Sequence, residues 1–259
     1  MHPINITIAR KSDTETFSIA STKVSTLLAA LYEIKATLDP TLTFGAGCRS
    51  GICGSCAVLV NGKEQLACSY RHQDGDHIAP LRYHPVVRDL KVDKTYALGT
   101  LTKILSGYST PDPIGDIPSP KEETQSKVQT DCILCDSCYS ACPVLAVNPD
   151  FLGPFALTRA WRYLVNDKKA QGNGKTQDKG QAQGTAPTGG LLEKIQTNGI
   201  WDCTLCGECT AACPQGIDPK TDILMLRGAS GKAGYSDPNF GSMDFGTPSF
   251  GTPDFGART

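Results

Sequence analysis

The sequence has no excess of charge of either sign, since 25 lysine and arginine residues stand against 26 aspartate and glutamate residues in a chain of 259. This balance argues against a nucleic-acid-binding protein, which is expected to show a basic stripe. The sequence also lacks the run of about 18 apolar residues that spans a bilayer, and its first residues lack the apolar segment of a secretory signal. We therefore expect a chain that is soluble by itself, and that another subunit holds at a membrane if it works there.

Substrate-binding motifs are missing as well. The chain has no glycine-rich nucleotide fingerprint and no group of Ser, His and Asp residues of the kind that hydrolases use. Its four histidines, His2, His72, His77 and His84, are scattered, and we interpret His77 and His84 as ordinary surface or interface residues. The sequence therefore predicts no catalytic residue on this chain.

Cysteine, in contrast, is abundant, with twelve residues. Disulfide frameworks belong mainly to small secreted domains, and structural zinc sites favour pairs of C-x2-C, often with histidine. Here the cysteines come in threes and fours with no histidine among them. Iron–sulfur clusters use such runs, so this ligation is the favoured interpretation of the three.

The first cysteine motif is the stretch GAGCRSGICGSC. Cys48, Cys53 and Cys56 have the spacing C-x4-C-x2-C, and Cys68 follows a predicted strand over Ala57–Val60. This is the spacing of plant-type ferredoxins, which hold a two-iron cluster. The motif therefore predicts a 2Fe–2S site.

Glycines and one arginine surround these cysteines. Glycine permits positive φ and close backbone approach, so the loop can direct N–H groups toward a cluster and help set its potential. Arg49 either offsets the charge of the cluster or is a solvated side chain. The glycines are Gly45, Gly47, Gly51 and Gly54.

A second motif, C-x2-C-x2-C-x3-C-P, occurs twice. The two copies consist of Cys132, Cys135, Cys138, Cys142 and Pro143, and of Cys203, Cys206, Cys209, Cys213 and Pro214. In two-cluster ferredoxins, each run gives three cysteines to one cluster and its fourth to the other. This rule predicts one four-iron site and a third cluster site. The four-iron site is formed by Cys132, Cys135, Cys138 and Cys213, and the third site by Cys142, Cys203 and Cys209.

Cys206 leaves two interpretations open for the third site. As a fourth ligand it would complete a second 4Fe–4S cluster and, by adding ligand charge, lower its potential. Otherwise it is a free buried thiol beside a 3Fe–4S cluster.

The pattern of apolar residues predicts an α+β chain. Alternation through Ile4–Ile8 and Phe17–Ile19 predicts a hairpin, and Asn61-Gly62 predicts a second tight turn. A helix with Val24, Leu27, Leu28, Leu31 and Leu38 is expected to end before Pro40. Further helices are expected from Pro154, with Leu157, Ala160, Trp161 and Leu164, from Leu191, and from Asp218-Pro219 through Leu226.

Composition also divides the chain into domains. We predict a first domain over residues 1–105, a Pro/Gly/Ser-rich linker over 106–123 and a helical domain over 124–230. The helical domain contains a Gly/Gln/Lys-rich loop at 166–190 that has too few apolar side chains to bury a core. A tail with repeated Phe-Gly pairs covers 231–259, and it is either disordered or docks its phenylalanines on a partner.

Three motifs in order carry a resemblance to a known family. They are CRSGICGSC, followed by NGK and LAC; DCILCDSCYSACP; and WDCTLCGECTAACPQGIDP. From Ile4 to Arg227, apart from the 166–190 loop, the chain resembles the iron–sulfur subunit of the succinate dehydrogenase/fumarate reductase family. The resemblance implies an N-terminal β-grasp 2Fe–2S ferredoxin-like domain and a C-terminal α-helical ferredoxin domain that holds two cubane-type clusters.

The resemblance also implies partners. A flavoprotein subunit with FAD interconverts fumarate and succinate, and a membrane subunit exchanges electrons with a quinone. This chain is expected to relay electrons between them. The two-iron cluster faces the flavin, the Cys132 cluster lies in the middle, and the Cys142 cluster faces the quinone.

The stretch after Cys142, PVLAVNPDFLGP, bears on the direction of turnover. Succinate:ubiquinone enzymes carry tryptophans just after Cys-Pro, and this chain has none there, so it looks more like menaquinol-linked fumarate reductases. Pro143, Val144 and Leu145 either line the quinone side or simply pack in the protein.

Cys206 departs from the usual family pattern, which has an apolar residue at this place. Members with the extra cysteine resemble two branches: one uses a cysteine-rich membrane-associated partner, and the other oxidises methylmenaquinol, or thiols, on fumarate. The expected location is peripheral, on the cytoplasmic side of the cell membrane, or on the periplasmic side after co-export with a partner. A relay for another dehydrogenase and a free ferredoxin-like carrier are the competing hypotheses.

Overall fold

The computed structural model describes residues 3–10, 13–20, 26–105, 120–166 and 187–238. Val24, most of the predicted linker and loop, and the Phe-Gly repeats lie outside these ranges. Within them, the chain forms two units, each with its own hydrophobic core. No helix of the described chain is long and apolar enough to cross a membrane.

The first unit is a five-stranded sheet covered by one helix. Its strand order is β2-β1-β5-β3-β4, in which β5 runs parallel to β1 and the other neighbours are antiparallel. The strands are β1 (Pro3–Ala9), β2 (Thr14–Ala20), β3 (Ala57–Val60), β4 (Lys63–Leu66) and β5 (Asp76–Ala79), with a separate ribbon of β6 (Val86–Arg88) and β7 (Lys91–Val92).

Local sequence explains most of these elements. Ile6 and Ile8 alternate toward the core and are fully buried, as the period of a strand requires. Asn61 and Gly62 both have positive φ, 50° and 79°, which is the geometry of a two-residue hairpin turn. The two predicted hairpins are therefore confirmed.

Helix α1 (Leu27–Thr37) begins after Thr26, whose hydroxyl accepts a hydrogen bond from the backbone of Ala29. The helix ends before Pro40, as predicted. The prediction that Leu38 belongs to its buried face is wrong. Leu38 is the C-cap and is half exposed, because the helix ends one residue earlier.

The second unit is helical. It consists of α2 (Thr95–Leu105), α3 (Pro120–Thr130), α4 (Ser137–Ser140), a 3₁₀-helix (Pro143–Ala146), α5 (Gly153–Asn166), α6 (Pro187–Lys194), α7 (Glu208–Ala211) and α8 (Pro219–Lys232). Helix α5 lies at its centre, with Leu157 and Ala160 fully buried. The helices predicted from Pro154, Leu191 and Pro219 are confirmed.

Three predicted boundaries differ from the structure. Helix α8 continues six residues beyond Leu226, to Lys232, because Ser230 on its next turn is buried and holds that turn on the core. Helix α6 begins at Pro187, inside the predicted loop, and α3 begins at Pro120, inside the predicted linker.

The predicted end of the first domain at residue 105 also needs correction. Helix α2 packs in the second core, where Ala97 and Ile104 are each 1% exposed. The Thr100 hydroxyl lies 2.9 Å from the Tyr139 hydroxyl of α4. The first unit therefore ends before α2, because the apolar face of α2 has its partners in the helical unit.

The two units contact each other directly. The Ser140 hydroxyl donates to Glu64 of β4 at 2.8 Å and accepts from the backbone of Arg82 at 3.0 Å. The His84 side chain is 2% exposed and lies 3.5 Å from Asp136. His84 is therefore an interface residue, as predicted, and His77 is exposed.

Candidate metal centres

The first cysteine loop directs backbone N–H groups at its own thiols. We call Cys48, Cys53, Cys56 and Cys68 the first group. Gly51 donates to the Sγ of Cys68 at 3.2 Å, and Ile52 donates to the Sγ of Cys48 at 3.3 Å. Hydrogen bonds from the backbone of Ser50 and Ile52 lower the pKa of Cys48 to about 6. At Cys48 these hydrogen bonds favour thiolate, which is the form that binds iron, whereas burial raises the pKa of Cys56 to about 11.

Two glycines show how closely this loop is folded. A Cβ on Gly47 would lie 2.7 Å from the Sγ of Cys53, so any side chain there would displace a predicted ligand. Gly54 has φ +65°, and a Cβ on it would lie 2.8 Å from the Cα of Cys135. The loop of the first group therefore touches the loop that carries Cys135. The Cys135 side chain is itself part of the first core. The fold accommodates a cluster here and places a second cysteine loop beside it.

A cavity in the second unit brings together four cysteines from both doubled runs. We call these the second group, and they are Cys132, Cys135, Cys138 and Cys213. The rest of the lining is largely apolar and includes Ile133, Phe155 and Ile217. Burial raises the pKa of Cys138 well above its usual range, and buried thiolates need a compensating cation. The convergence of four thiols on one cavity fits a bound iron–sulfur cluster, and their roles as ligands stay a prediction.

The remaining four cysteines also lie close together. We call Cys142, Cys203, Cys206 and Cys209 the third group. Burial raises the pKa of Cys209 to about 12, and the neighbouring thiols of Cys203, Cys142 and Cys206 add to this rise. Cys206 also contributes to the raised pKa of Cys142 and Cys203. Its thiol therefore lies within electrostatic reach of all three others.

Cys206 is not buried, which corrects that part of its interpretation as a free thiol, and whether it binds iron stays a prediction. Cys206 is exposed, whereas Cys142 and Cys209 are buried. Gly207, which follows Cys206, has φ 86° and is the N-cap of α7, so Cys206 lies in the turn before this helix. The third group thus has two buried members and an exposed one.

Arg227 supports the third group and was missed in the sequence. From α8, its guanidinium donates to the backbone oxygens of Ile200 at 2.8 Å and Cys203 at 2.6 Å. It also lies over the Trp201 ring, 5.5 Å from its centre. Its charge lowers the pKa of Cys203, against the larger effect of burial, which raises it. No local pattern indicates this role, because Arg227 lies 24 residues beyond Cys203.

The structure separates the three residues predicted for the quinone side. Val144 and Leu145 are 6% and 7% exposed and belong to the second core. Their side chains therefore pack inside the protein, which favours the packing alternative for these two residues. Pro143 is exposed, and Val147 at the end of the same 3₁₀-helix is 83% exposed.

Among the residues that the structure describes, no three Cys, His, Asp or Glu side chains approach as closely as a single metal ion requires. An iron–sulfur cluster contains several irons, so its thiolate ligands surround a larger group than a single ion.

Comparison with protein families identifies both units. A 2Fe-2S iron-sulfur cluster binding domain matches residues 5–98, and a 4Fe-4S dicluster domain matches residues 128–217. The fumarate reductase iron–sulfur subunit of Haemophilus influenzae is 34% identical over 85% of this chain and 87% of its own length. That of Mycobacterium tuberculosis is 37% identical over 79% and 81%. The chain belongs to the family of fumarate reductase and succinate dehydrogenase iron–sulfur subunits.

Other members of the family differ in their named electron donor or direction. The iron–sulfur subunit of the 8-methylmenaquinol:fumarate reductase of Wolinella succinogenes is 36% identical over 83% of this chain and 66% of its own length. The succinate dehydrogenase iron–sulfur subunit of Paracoccus denitrificans is 33% identical over 78% and 74%. This member of the family therefore carries 2Fe–2S and 4Fe–4S cluster-binding domains in the predicted order.

A solved structure supports the fold independently. A chain of the Mycobacterium smegmatis Sdh1 complex in the apo form matches 91% of this chain and 98% of its own length, with a TM-score of 0.73 and 20% identity. This likeness confirms the predicted fold class, a ferredoxin-type sheet domain followed by a helical ferredoxin domain.

Proposed function

We propose that this chain is the electron-transfer subunit of a fumarate reductase complex. It relays electrons from a membrane quinol to the FAD of a flavoprotein subunit, which reduces fumarate to succinate. The contact between Gly54 and Cys135 carries the proposal, because it places the loops of the first and second groups against each other. Iron–sulfur clusters held in these groups supply one-electron transfer. The chain itself contributes ligands and their surroundings, and the partner subunits contribute the catalytic residues.

The cysteine groups divide the ligands as follows. We propose that the first group holds a 2Fe–2S cluster and the second group a 4Fe–4S cluster. For the third group we propose a second 4Fe–4S cluster with Cys206 as a ligand, since its thiol lies within electrostatic reach of the three others. The exposure of Cys206 and Val147 supports the third group as the side that faces the electron donor.

The direction and the donor rest on the relatives. Most of those described above are fumarate reductases by name, and the chain lacks tryptophan after Cys142-Pro143. We therefore propose menaquinol or methylmenaquinol as the donor. The proposed partners are the flavoprotein and either a membrane anchor or a cysteine-rich membrane-associated subunit. The proposed location is the cytoplasmic side of the membrane, with the periplasmic side as the alternative after co-export.

A ligand variant tests this function in the purified complex. Cys132→Ala should decrease quinol-linked fumarate reduction on the order of a hundredfold, because it removes one predicted ligand of the second group. Fumarate reduction with a small dye that reduces the flavoprotein directly should remain near the wild-type rate. Loss of both activities would contradict a relay function, since the chain would then be needed for the flavin chemistry itself.

A further inference from the structure

Lys94 connects the loops of two cysteine groups. Its ammonium donates to the backbone oxygen of Cys135 at 2.7 Å and to that of Gly54 at 3.3 Å. Gly54 lies in the loop of the first group and Cys135 belongs to the second group. One cation therefore contacts the backbone of both predicted cluster loops at the place where they meet.

The backbone around Lys94 is held in place. The residue lies between β7 and α2, and the preceding residue, Asp93, donates its N–H to Pro85 at 2.8 Å. The Asp93 carboxylate accepts from the backbone of Thr95 at 2.9 Å, which starts α2. Because both neighbours of Lys94 are fixed, its side chain leaves a rigid segment and reaches the two loops in a defined direction.

The charge of Lys94 is not neutralised by a local ion pair. No carboxylate of the described chain lies within 4 Å of its ammonium. Its hydrogen-bond partners are neutral carbonyls, so its charge is not offset within hydrogen-bond distance. In accord with this, the Lys94 charge lowers the pKa of Cys135, against burial, which raises it.

We propose that Lys94 is a positioning residue that raises the reduction potentials of the first and second clusters together. The inference rests on the proposed function, because it assumes that both cysteine groups hold clusters. Reduction adds negative charge to a cluster, and a nearby fixed cation stabilises that charge. The third group has its own cation, Arg227, on the carbonyl of Cys203, so it should not depend on Lys94.

Lys35 provides a matched control. Its ammonium also donates to two backbone oxygens, those of Pro40 at 3.0 Å and Leu42 at 2.6 Å. Neither of these residues lies in a cysteine run. Lys35→Met therefore removes the same kind of contact without removing a cation from the two cluster loops.

The test is a potentiometric titration of the intact complex, followed by low-temperature EPR, for wild type and the variants Lys94→Met, Lys94→Gln, Lys94→Arg and Lys35→Met. Lys94→Met and Lys94→Gln should shift the reduction equilibrium of the first and second clusters about tenfold toward the oxidised form. A tenfold shift equals about 59 mV for one electron. Lys94→Arg should keep wild-type potentials, and the third cluster should be unchanged throughout.

Several outcomes would overturn the inference. Unchanged potentials in Lys94→Gln with normal iron content would show that Lys94 only ties the loops together. An equal shift in all three clusters, or the same shift in Lys35→Met, would show a general disturbance. If the Lys94→Met complex fails to assemble, the potentials of Lys94→Gln and Lys94→Arg still show whether the charge of Lys94 or only its hydrogen bonds matter. Absence of the 2Fe–2S and 4Fe–4S signals from the wild type would instead reject the proposed function, and the inference with it.

Discussion

At the scale of single residues, the proposed role of Cys206 as a ligand bears on the composition of the third cluster. Its thiol is exposed, and it lies within electrostatic reach of Cys142, Cys203 and Cys209. A four-iron cluster has one protein ligand for each iron, and with three ligands a three-iron cluster is the natural product.

We expect Cys206→Ala to lose about one iron per chain and to show a three-iron EPR signal in the oxidised state that the wild type lacks. Iron analysis and EPR of the anaerobically purified complex measure both changes. Thr204→Ala, an exposed neighbour in the same loop, is the control and should resemble wild type. A three-iron signal in the wild type itself would mean that Cys206 is not a ligand.

Asp222 of α8 is a buried carboxylate away from the cysteine runs. Gln129 of α3 donates to it at 2.8 Å, and its other carboxylate oxygen has no hydrogen-bond partner in the described chain. Burial raises its pKa to about 6. The folded state therefore holds the proton more tightly than the unfolded state, so the stability is greatest below the ordinary pKa and falls as the pH rises toward the folded pKa.

Asp222→Asn should accordingly stabilise the protein by about 2 to 3 kcal/mol at pH 8 and by clearly less at pH 5. Urea unfolding at the two pH values measures the difference. The exposed Asp150 offers a control, since Asp150→Asn should show no such dependence. A variant that is equally stabilising at both pH values would contradict the role of the ionised carboxylate.

At the scale of elements, the contact between the two cysteine loops depends on Gly54. A Cβ there would meet the Ile133 backbone oxygen at 2.5 Å and the Cys135 Cα at 2.8 Å. Gly62 has a similar positive φ, +79°, with open space around the position of a Cβ. Comparing alanine variants of Gly54 and Gly62 therefore separates the cost of a positive φ from the loss of contact between the two loops.

Gly54→Ala should cost about 2 to 4 kcal/mol through strain and overpacking and should reduce the iron content of both the first and second groups. Gly62→Ala should cost about 1 kcal/mol, through φ alone, and should leave the iron content unchanged. Thermal unfolding and iron analysis of the two variants test this. Similar losses of iron in both variants would be evidence against close packing of the loops.

Elements with a strong local pattern were predictable from the sequence, and elements made by tertiary contacts were not. Strand β5 lies inside the sheet, yet Ile78 is its only large apolar residue. Its buried Asp76 is satisfied by Asn61 at 2.8 Å and by the backbone of Gln73 at 2.7 Å, which no local pattern reveals. Helices α4 and α7 have only four residues, too few to show a helical period.

The same distinction holds for the cluster sites. The cysteine runs were predictable because ligand spacing along a loop is a local property, and their division into groups followed from the rule for two-cluster ferredoxins. Lys94 and Arg227 were not, because each contacts carbonyls that lie 24 to 41 residues away in the sequence. For Val144 and Leu145 the sequence left a quinone-facing position and packing in the protein both open, because their burial depends on the packing of the whole helical unit.

At the scale of the whole molecule, the proposed complex has a direct test. After lysis, this chain should sediment with membranes together with a flavoprotein, and mild detergent should release both as one complex. Immunodetection of the chain in the two fractions measures this, and a cytosolic ferredoxin serves as the soluble control. A chain that stays in the supernatant without a flavin-containing partner would favour the free-carrier hypothesis.

The second group takes three cysteines from residues 132–138 and its fourth from Cys213, while Cys142 lies with thiols from residues 203–209. The second and third groups therefore each combine cysteines from both runs. With the proposed ligands, the cluster of the second group can be completed only after residue 213 is synthesised, and that of the third group only after residue 209. Because the second and third groups each take cysteines from both sides of the stretch between Cys142 and Cys203, clusters bound as proposed would link the two fragments left by a single cut there.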